Sequence, residues 1–450
     1  MPSLHRRTAA VAIALAGAAV AHTGPLHAQG TLTVAEQRIR DALARTRDDQ
    51  IAYLQRVVDI PSSTLNLAGV RRVGDVFRAS FDSLGFTTRW VTMPDAVGRA
   101  GHLVAEHRGR PGSPRLLLIG HLDTVVEPTG PTFERRDSLA RGVGSGDMKG
   151  GDVILLFALK ALHATGQLRD LDVTVIFTGD EEHPGDPLDV ARAELLALAR
   201  RSDVALAFEG GNRTTATIAR RGASEWRVEA TGRQAHSSGV FSAGVGYGAV
   251  YELARILDAF RREFDRTPYL TMNAAIALGG TDVVYDTVAI AGTAGTKTNI
   301  VPKRAVATGD LRFITEGQKD SVRARMRAIV AQSLPGTSAT ITFTDGYPAM
   351  SPTPGSAKVL AVYDAASRAL GHGGVEALDP GARGAGDISF VAPLLDGLDG
   401  LGAVGRGAHN PDEVVHLPLM HLQTERAALL LHRLGRLRAA DVRRTATVVP

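Results

Sequence analysis

A buried strand that ends in a histidine dominates this sequence. The apolar run LLLIG at residues 116–120 continues directly into His121-Leu122-Asp123. Successive side chains of a strand point to opposite faces, so His121 and Asp123 share one face at the strand's end. An imidazole with a nearby carboxylate to hold its second ring nitrogen is a suitable metal ligand. A hydrogen-bonded His–Asp pair without any metal would produce the same local pattern.

A second candidate ligand, Asp147, lies in the glycine-rich segment RGVGSGDMKGG, which leads into an apolar helix predicted at residues 151–163. Thr33-x-x-Glu36 resembles a capping box and predicts a first helix that runs to about residue 58. Further strands are predicted at residues 86–93, 102–106, 172–178 and 204–208. Strands that alternate with helices predict an α/β fold with a mostly parallel sheet. In such folds the chemistry lies at the carboxyl ends of the strands.

The order of elements changes between residues 214 and 346. Strands, a long helix at 246–264, more strands and a helix at 319–333 predict two helices on one small sheet. This pattern indicates an inserted α+β domain. The first part of the main domain would then comprise residues 29–213, and its second part residues 347–450.

The N-terminus has the pattern of a secretory signal peptide. Arg6 and Arg7 precede an apolar run at residues 9–21, and small residues allow cleavage after Ala21 or Ala28. We therefore expect residues 1–28 to be removed and the protein to be exported, either to the periplasm or as a secreted protein. Cysteine is absent, which excludes disulfides and thiolate ligands. The formal net charge of +4 gives no reason to expect nucleic acid or a membrane as a partner.

Three later segments carry further candidate ligands. Glu181 and Glu182 follow a strand and point different ways, so one can bind metal while the other acts as a general base, although such pairs are often only solvated loop ends. Glu209 follows the next strand, and His409 lies in a late loop, where it competes with His416. These are oxygen and nitrogen ligands suited to Zn²⁺, and five of them suit two ions that share a bridging carboxylate. The full set is His121, Asp147, Glu182, Glu209 and His409.

Nine short motifs together resemble one enzyme family. They are GHLDTV, GSGDMKGG, TGDEE, FEGG, GRQAHSSG, TNIVP, GDLR, GAGD and AHNPDE. In this order they resemble the zinc-dependent exopeptidases and amidohydrolases, which include glutamate carboxypeptidase, aminoacylase, succinyl-diaminopimelate desuccinylase and peptidase T. The resemblance covers essentially the whole chain after the signal segment. It implies a catalytic domain that binds two Zn²⁺ ions, for which Co²⁺ or Mn²⁺ can substitute, and an inserted lid and dimerisation domain.

The resemblance also implies roles for individual residues. One zinc would be held by His121, Asp147 and Glu209, and the other by Asp147, Glu182 and His409. Asp123 would orient His121, and Glu181 would be the base. In a homodimer His236 would reach the partner subunit's active site, where it would act as a catalytic residue that hydrogen-bonds the developing oxyanion. Asn299 and Arg312 would contact the substrate carboxylate.

The expected reaction is cleavage of an amide bond next to a free carboxylate in a small peptide, as in a carboxypeptidase or dipeptidase. Deacylation of an N-acyl amino acid on the same metal centre is the alternative. A non-catalytic binding protein on this fold is a third reading, but Glu181 and every ligand are present. Two departures from the family pattern concern the substrate pocket: the stiff loop at residues 183–187, and Tyr347, which stands where glutamate-releasing relatives carry an arginine.

Overall fold

The computed structural model describes residues 31–287 and 289–444. The predicted signal segment, with both candidate cleavage sites, lies outside the described residues. The helices are α1 (Val34–Arg45), α2 (Arg47–Val58), α3 (Leu67–Ser83), α4 (Lys149–Ala164), α5 (Leu188–Ala191), α6 (Ala193–Arg200), α7 (Ala249–Phe264), α8 (Glu316–Val330), α9 (Pro354–Ala369), α10 (Ile388–Val391), α11 (Leu417–Gly435) and α12 (Ala439–Val442).

The strands range from two to eleven residues in length. They are β1 (Thr87–Val91), β2 (His102–His107), β3 (Arg115–His121), β4 (Glu134–Arg136), β5 (Leu139–Arg141), β6 (Asp172–Thr178), β7 (Val204–Ala207), β8 (Thr215–Ala216), β9 (Gly222–Gly232), β10 (Thr271–Met272), β11 (Ile276–Gly280), β12 (Asp282–Asp286), β13 (Ala291–Gly295), β14 (Arg304–Phe313), β15 (Thr337–Asp345), β16 (Glu376–Ala377), β17 (Asp396–Leu398), β18 (Gly405–Arg406) and β19 (Val414–His416).

A six-stranded sheet of order β1-β2-β6-β3-β7-β17 forms the centre of the main domain. The β6–β3, β3–β7 and β7–β17 pairs are parallel, while the β1–β2 and β2–β6 pairs are antiparallel. Successive side chains of β3 point to opposite faces of the sheet, and both faces are buried. Leu116 and Leu118 belong to the core that includes α4 and α11, and Leu117 and Ile119 belong to the core that includes α6 and α10. The predicted α/β fold with a mostly parallel sheet is therefore confirmed.

The N-terminal helix differs from the sequence-based expectation. Thr33 caps α1 through the capping box with Glu36. The expected single helix to residue 58 is, however, interrupted at Thr46. The Thr46 main-chain N–H donates to Leu43 O at 3.1 Å, three residues back, and the Thr46 hydroxyl donates to the same oxygen at 3.2 Å. Both bonds tighten the last turn of α1 and end its i−4 hydrogen-bond ladder.

The inserted domain is a separate antiparallel sheet covered by two helices. Its strand order is β10-β14-β9-β15, with β11 also paired to β14 and with a β12–β13 hairpin beside it. Trp226, Val228 and Ala230 alternate along β9 and pack against α7 and α8. Strand β8, which directly precedes this sheet in the chain, is not part of it and pairs with β16 of the main domain.

The parallel strands β6, β3 and β7 set the position of the candidate site. His121 is the last residue of β3, the Glu181-Glu182 pair follows β6, and Glu209 follows β7. Because these strands are parallel neighbours, their carboxyl ends meet at one edge of the sheet. Among the helices of the described residues, none is long and apolar enough to cross a membrane.

Candidate metal centre

The buried His121 side chain is the centre of a first ligand group. Its Nε2 atom lies 3.3 Å from Asp147 Oδ1 and 3.6 Å from Glu209 Oε1. The ligand atoms of these three residues lie within 4.8 Å of one another, close enough to bind one ion.

A second ligand group shares Asp147 with the first. His409 Nε2 lies 3.3 Å from Asp147 Oδ2 and 3.3 Å from Glu182 Oε2. Asp147 thus directs one carboxylate oxygen to each histidine, the arrangement that a bridging ligand requires. His416, the competing histidine, instead caps α11, where its Nδ1 accepts from Leu419 N at 3.3 Å.

The charges of this cleft fit two divalent cations. Burial and the charge of Asp147 raise the pKa of Glu209, and the same two causes contribute to raising the pKa of Glu182 to about 8. Against the effect of burial, hydrogen bonds from His121 and His409 lower the pKa of Asp147. Carboxylates that crowd together in a buried site repel one another, and bound cations relieve that repulsion. The oxygen and nitrogen donors match the preferences of zinc.

Asp123 holds both His121 and the glutamate pair. Its carboxylate accepts the main-chain N–H groups of Glu181 and Glu182, each at 3.1 Å, and the Thr64 hydroxyl at 2.6 Å. The Nδ1 atom of His121 lies 3.0 Å from the Asp123 main-chain oxygen and 3.4 Å from Oδ1. Asp123 therefore contacts the ring of His121 and also holds the main chain of Glu181 and Glu182.

Glu413 is a supporting residue to which the sequence motifs assign no role. Its carboxylate accepts the main-chain N–H groups of Gly144 at 2.8 Å, Gly146 at 2.6 Å and Asp147 at 2.7 Å. These three bonds hold the loop that presents the shared carboxylate of Asp147. Glu413 lies inside the AHNPDE motif, but the partners of its side chain are more than 260 residues away in the chain.

We expect Glu413→Gln to weaken metal binding by about 10- to 100-fold, as is typical when the support of a ligand is lost. The substitution keeps the size of the side chain but places an amide NH₂ against main-chain donors. Metal affinity is measured by competition with a chelator of known strength. Glu127→Gln is the matched control, since Glu127 also accepts a main-chain N–H, from Ser63 at 2.8 Å, but does not bind the ligand loop. Equal affinity of the two variants would contradict the role of Glu413.

Three of the residues predicted from the resemblance belong to the inserted domain, namely His236, Asn299 and Arg312. His236 is exposed, and its Nδ1 atom is 2.9 Å from the Ser238 hydroxyl. Asn299 lies beside it, because the Asn299 carbonyl accepts from Ser237 N at 2.9 Å. Asn299 precedes Arg304, the first residue of β14, whereas Arg312 lies near the last residue of that strand. At 3.3 Å per residue, Arg312 is roughly 26 Å from Arg304 along the strand. The Arg312 Nε donates to Asp310 Oδ2 at 2.8 Å. In the described part of the chain, neither His236 nor Arg312 bonds to the ligand groups.

The chain is similar to a carboxypeptidase and to a desuccinylase over most of its length. It is 28% identical to carboxypeptidase G2 of Pseudomonas sp. (strain RS-16), covering 96% of this chain and 99% of the relative. It is 27% identical to the succinyl-diaminopimelate desuccinylase of Gluconacetobacter diazotrophicus, covering 87% of this chain and 99% of the relative.

Solved structures share the fold at lower identity. The aminopeptidase PepT of Bacillus cereus matches with a TM-score of 0.69 and 16% identity, over 87% of this chain and 99% of that one. The YXEP protein of Bacillus subtilis, described as a dinuclear metal-binding peptidase from the M20 family, matches with a TM-score of 0.61 and 14% identity, over 88% and 99%.

The sequence profile described as "Peptidase family M20/M25/M40" matches residues 117–433. This range contains both ligand groups, the neighbouring Glu181 and the whole inserted sheet. The resemblance seen in the short motifs is thus confirmed across most of the chain. The protein belongs to peptidase family M20/M25/M40, the metallo-exopeptidases and amidohydrolases.

Proposed function

We propose that this protein is an exported hydrolase that binds two zinc ions and cleaves a peptide or amide bond adjacent to a free carboxylate, as a carboxypeptidase or dipeptidase does. The observation that carries this proposal is the arrangement around Asp147. Two ligand groups share that residue, and the carboxylate of Glu181 lies next to them. Within the described residues the Glu181 carboxylate makes no hydrogen bond of its own, so it remains available to accept a proton.

The residues of the site divide the chemistry between ligands and base. Bound zinc would supply a water of lowered pKa and a Lewis acid for the scissile carbonyl. Glu181 accepts the proton of the attacking water and returns it to the leaving amine nitrogen. Asp123 holds the main chain of Glu181 so that its carboxylate stays next to the ligand groups throughout the reaction.

The proposal predicts recognition of a carboxylate by Arg312. We expect Arg312→Ala to raise KM by about 10- to 100-fold for substrates with a free carboxylate, which corresponds to the loss of one hydrogen bond to a charged group. C-terminally amidated substrates should be affected much less. Arg227→Ala is the control, because Arg227 lies in the neighbouring strand and pairs with Glu229 at 3.3 Å. An equal rise in KM for amidated and free substrates would refute this role.

Deacylation of an N-acyl amino acid remains the second candidate. Similarity to the desuccinylase of Gluconacetobacter diazotrophicus supports it, because that relative matches over 99% of its length. Such substrates also present a carboxylate beside the cleaved amide bond, and the reaction requires the same ligands and base.

Metal analysis combined with a substrate panel tests the proposal. The protein without its first 28 residues is analysed for zinc, and amine release is followed over dipeptides, longer peptides and N-acyl amino acids, before and after chelation. We expect about two zinc ions per chain and release that the chelator abolishes. Cobalt and manganese are then tested for restoring the chelated enzyme. Absence of turnover on every class after zinc has been restored would refute the proposal.

A homodimer is part of the proposal. His236 and Asn299 lie at one end of β14 and Arg312 near the other, so all three cannot contact one small substrate within a single chain. This separation supports a site that His236 and Asn299 complete from the partner subunit. Light scattering at several protein concentrations tests this, and a monomer at all concentrations would contradict it.

Export is supported by the pattern of residues 1–28 alone. Fractionation of cells that express the full chain tests it, together with N-terminal sequencing of the recovered protein. An N-terminus that starts after residue 21 or 28 in the exported fraction is expected. Full-length protein confined to the cytoplasm would contradict it.

A further inference from the structure

Tyr347 lies where the chain leaves the inserted domain. It follows β15 by two residues, and its carbonyl accepts from Ala223 N at 2.8 Å. The neighbouring Gly346 N donates to Ala223 O at 3.2 Å. Ala223 belongs to β9, the strand by which the chain enters the inserted sheet. The two connections between the domains are thus joined at Tyr347.

The side chain of Tyr347 extends from this connection into the main domain. Its hydroxyl donates to the main-chain carbonyl of Glu181 at 2.7 Å and accepts from Arg192 Nη2 at 3.3 Å. The ring lies against Phe390, with the ring centroids 4.9 Å apart. A tyrosine hydroxyl has one proton, and here that proton is directed at the backbone of the base.

Arg192, which donates to the Tyr347 hydroxyl, is itself held in place by further bonds. It is 1% exposed, and its Nη1 and Nε atoms donate to Asp180 Oδ1 and Asp387 Oδ1, each at 2.8 Å. Its Nη2 atom also donates to the Asp180 carbonyl at 3.0 Å. A buried guanidinium with charged partners on two sides is a rigid support.

Together these bonds hold both peptide groups that flank Glu181. On the N–H side, the Asp123 carboxylate binds Glu181 N and Glu182 N. On the carbonyl side, Arg192 binds the oxygen of Asp180 and Tyr347 binds that of Glu181. Of the four bonds, only the one from Tyr347 comes from the boundary with the inserted domain.

We propose that Tyr347 is a positioning residue for Glu181, and that its hydroxyl links the placement of the base to the placement of the inserted domain. This inference rests on the proposed function, in which Glu181 is the base. It also accounts for the tyrosine at a position where glutamate-releasing relatives carry an arginine. In this chain the side chain binds the main-chain carbonyl of Glu181.

Tyr347→Phe in the zinc-loaded full-length mature chain tests the proposal. The substitution keeps the ring against Phe390 and the main-chain bonds to Ala223, and removes only the hydroxyl. We expect kcat to fall about tenfold, the effect of one lost hydrogen bond to the main chain that positions the base, with KM and metal content unchanged. Amide hydrogen exchange at residues 179–183 should become faster.

The matched control is Tyr53→Phe. The Tyr53 hydroxyl also donates to a main-chain carbonyl, that of Val76 at 3.0 Å, but does not touch the site. This variant should keep the wild-type kcat and the wild-type exchange at residues 179–183. Wild-type kcat and exchange in Tyr347→Phe would overturn the proposal, and so would a loss of bound metal, which would make the role merely structural.

Failure of the proposed function would look different. The wild-type enzyme would then hydrolyse no amide on the panel, or Glu181→Gln would remain active. The exchange measurement needs no turnover, so in that case it still decides whether the Tyr347 hydroxyl holds the segment around Glu181.

Discussion

We expect Glu181→Gln to lower kcat about a thousandfold and to leave the metal content unchanged, because a positioned general base accelerates a reaction by about 10²- to 10⁴-fold. The Glu181 carboxylate accepts no hydrogen bond within the described residues, and its backbone N–H is bound by Asp123. Glu181 also forms a third candidate group with His121 and Glu182. Under the proposed roles, the substitution removes the proton acceptor and leaves the five proposed ligands unchanged. Metal content is measured by elemental analysis of the same samples that are used for kinetics.

The adjacent Glu182→Gln variant is the matched contrast. Glu182 Oε2 lies 3.3 Å from His409 Nε2 within the second ligand group. This variant should lose chiefly one metal ion as well as activity. If Glu181→Gln lost metal while Glu182→Gln retained both ions, the two residues would have exchanged roles.

His236→Ala is expected to lower kcat by about 100-fold or more, the usual cost of removing one group that stabilises a developing oxyanion. Among the described residues its exposed side chain makes no hydrogen bond or ion pair with the ligand groups of its own chain. The proposed loss would therefore arise in the partner's site. Mixing His236→Ala chains with Glu181→Gln chains should then restore activity. Each mixed dimer would contain one site with both Glu181 and the partner's His236.

The double variant provides the control for this experiment. Chains that carry both substitutions should restore no activity when mixed with either single variant, because no mixed dimer then has a complete site. Unfolding and refolding the mixture allows the subunits to exchange. Absence of restoration in a mixture that light scattering shows to be dimeric would refute the contribution of His236 across the interface.

Much of the fold could be predicted from local patterns of residues in the sequence. The strand at residues 172–178 was predicted with the same limits as β6, and the Thr33 capping box begins α1 as expected. Both predictions depend on neighbouring residues alone. The strand follows from its local pattern of apolar residues, and the helix start follows from Thr33 with Glu36 three residues later. The break at Thr46 was not predicted, because the apolar spacing of a helix continues across it and only its hydrogen bonds change.

The sequence by itself indicated four candidate ligands, namely His121, Asp147, Glu182 and Glu209, and left the fifth open between His409 and His416. His121, Glu182 and Glu209 each follow an apolar strand, and parallel strands bring their carboxyl ends to one edge of a sheet. Only the tertiary structure decided that His409, and not His416, faces Asp147. It also decided that Glu413 holds the Asp147 loop and that Tyr347 holds Glu181. Those bonds join residues from 166 to 269 positions apart in the chain, and a contact over such a separation leaves no periodic signal in the sequence.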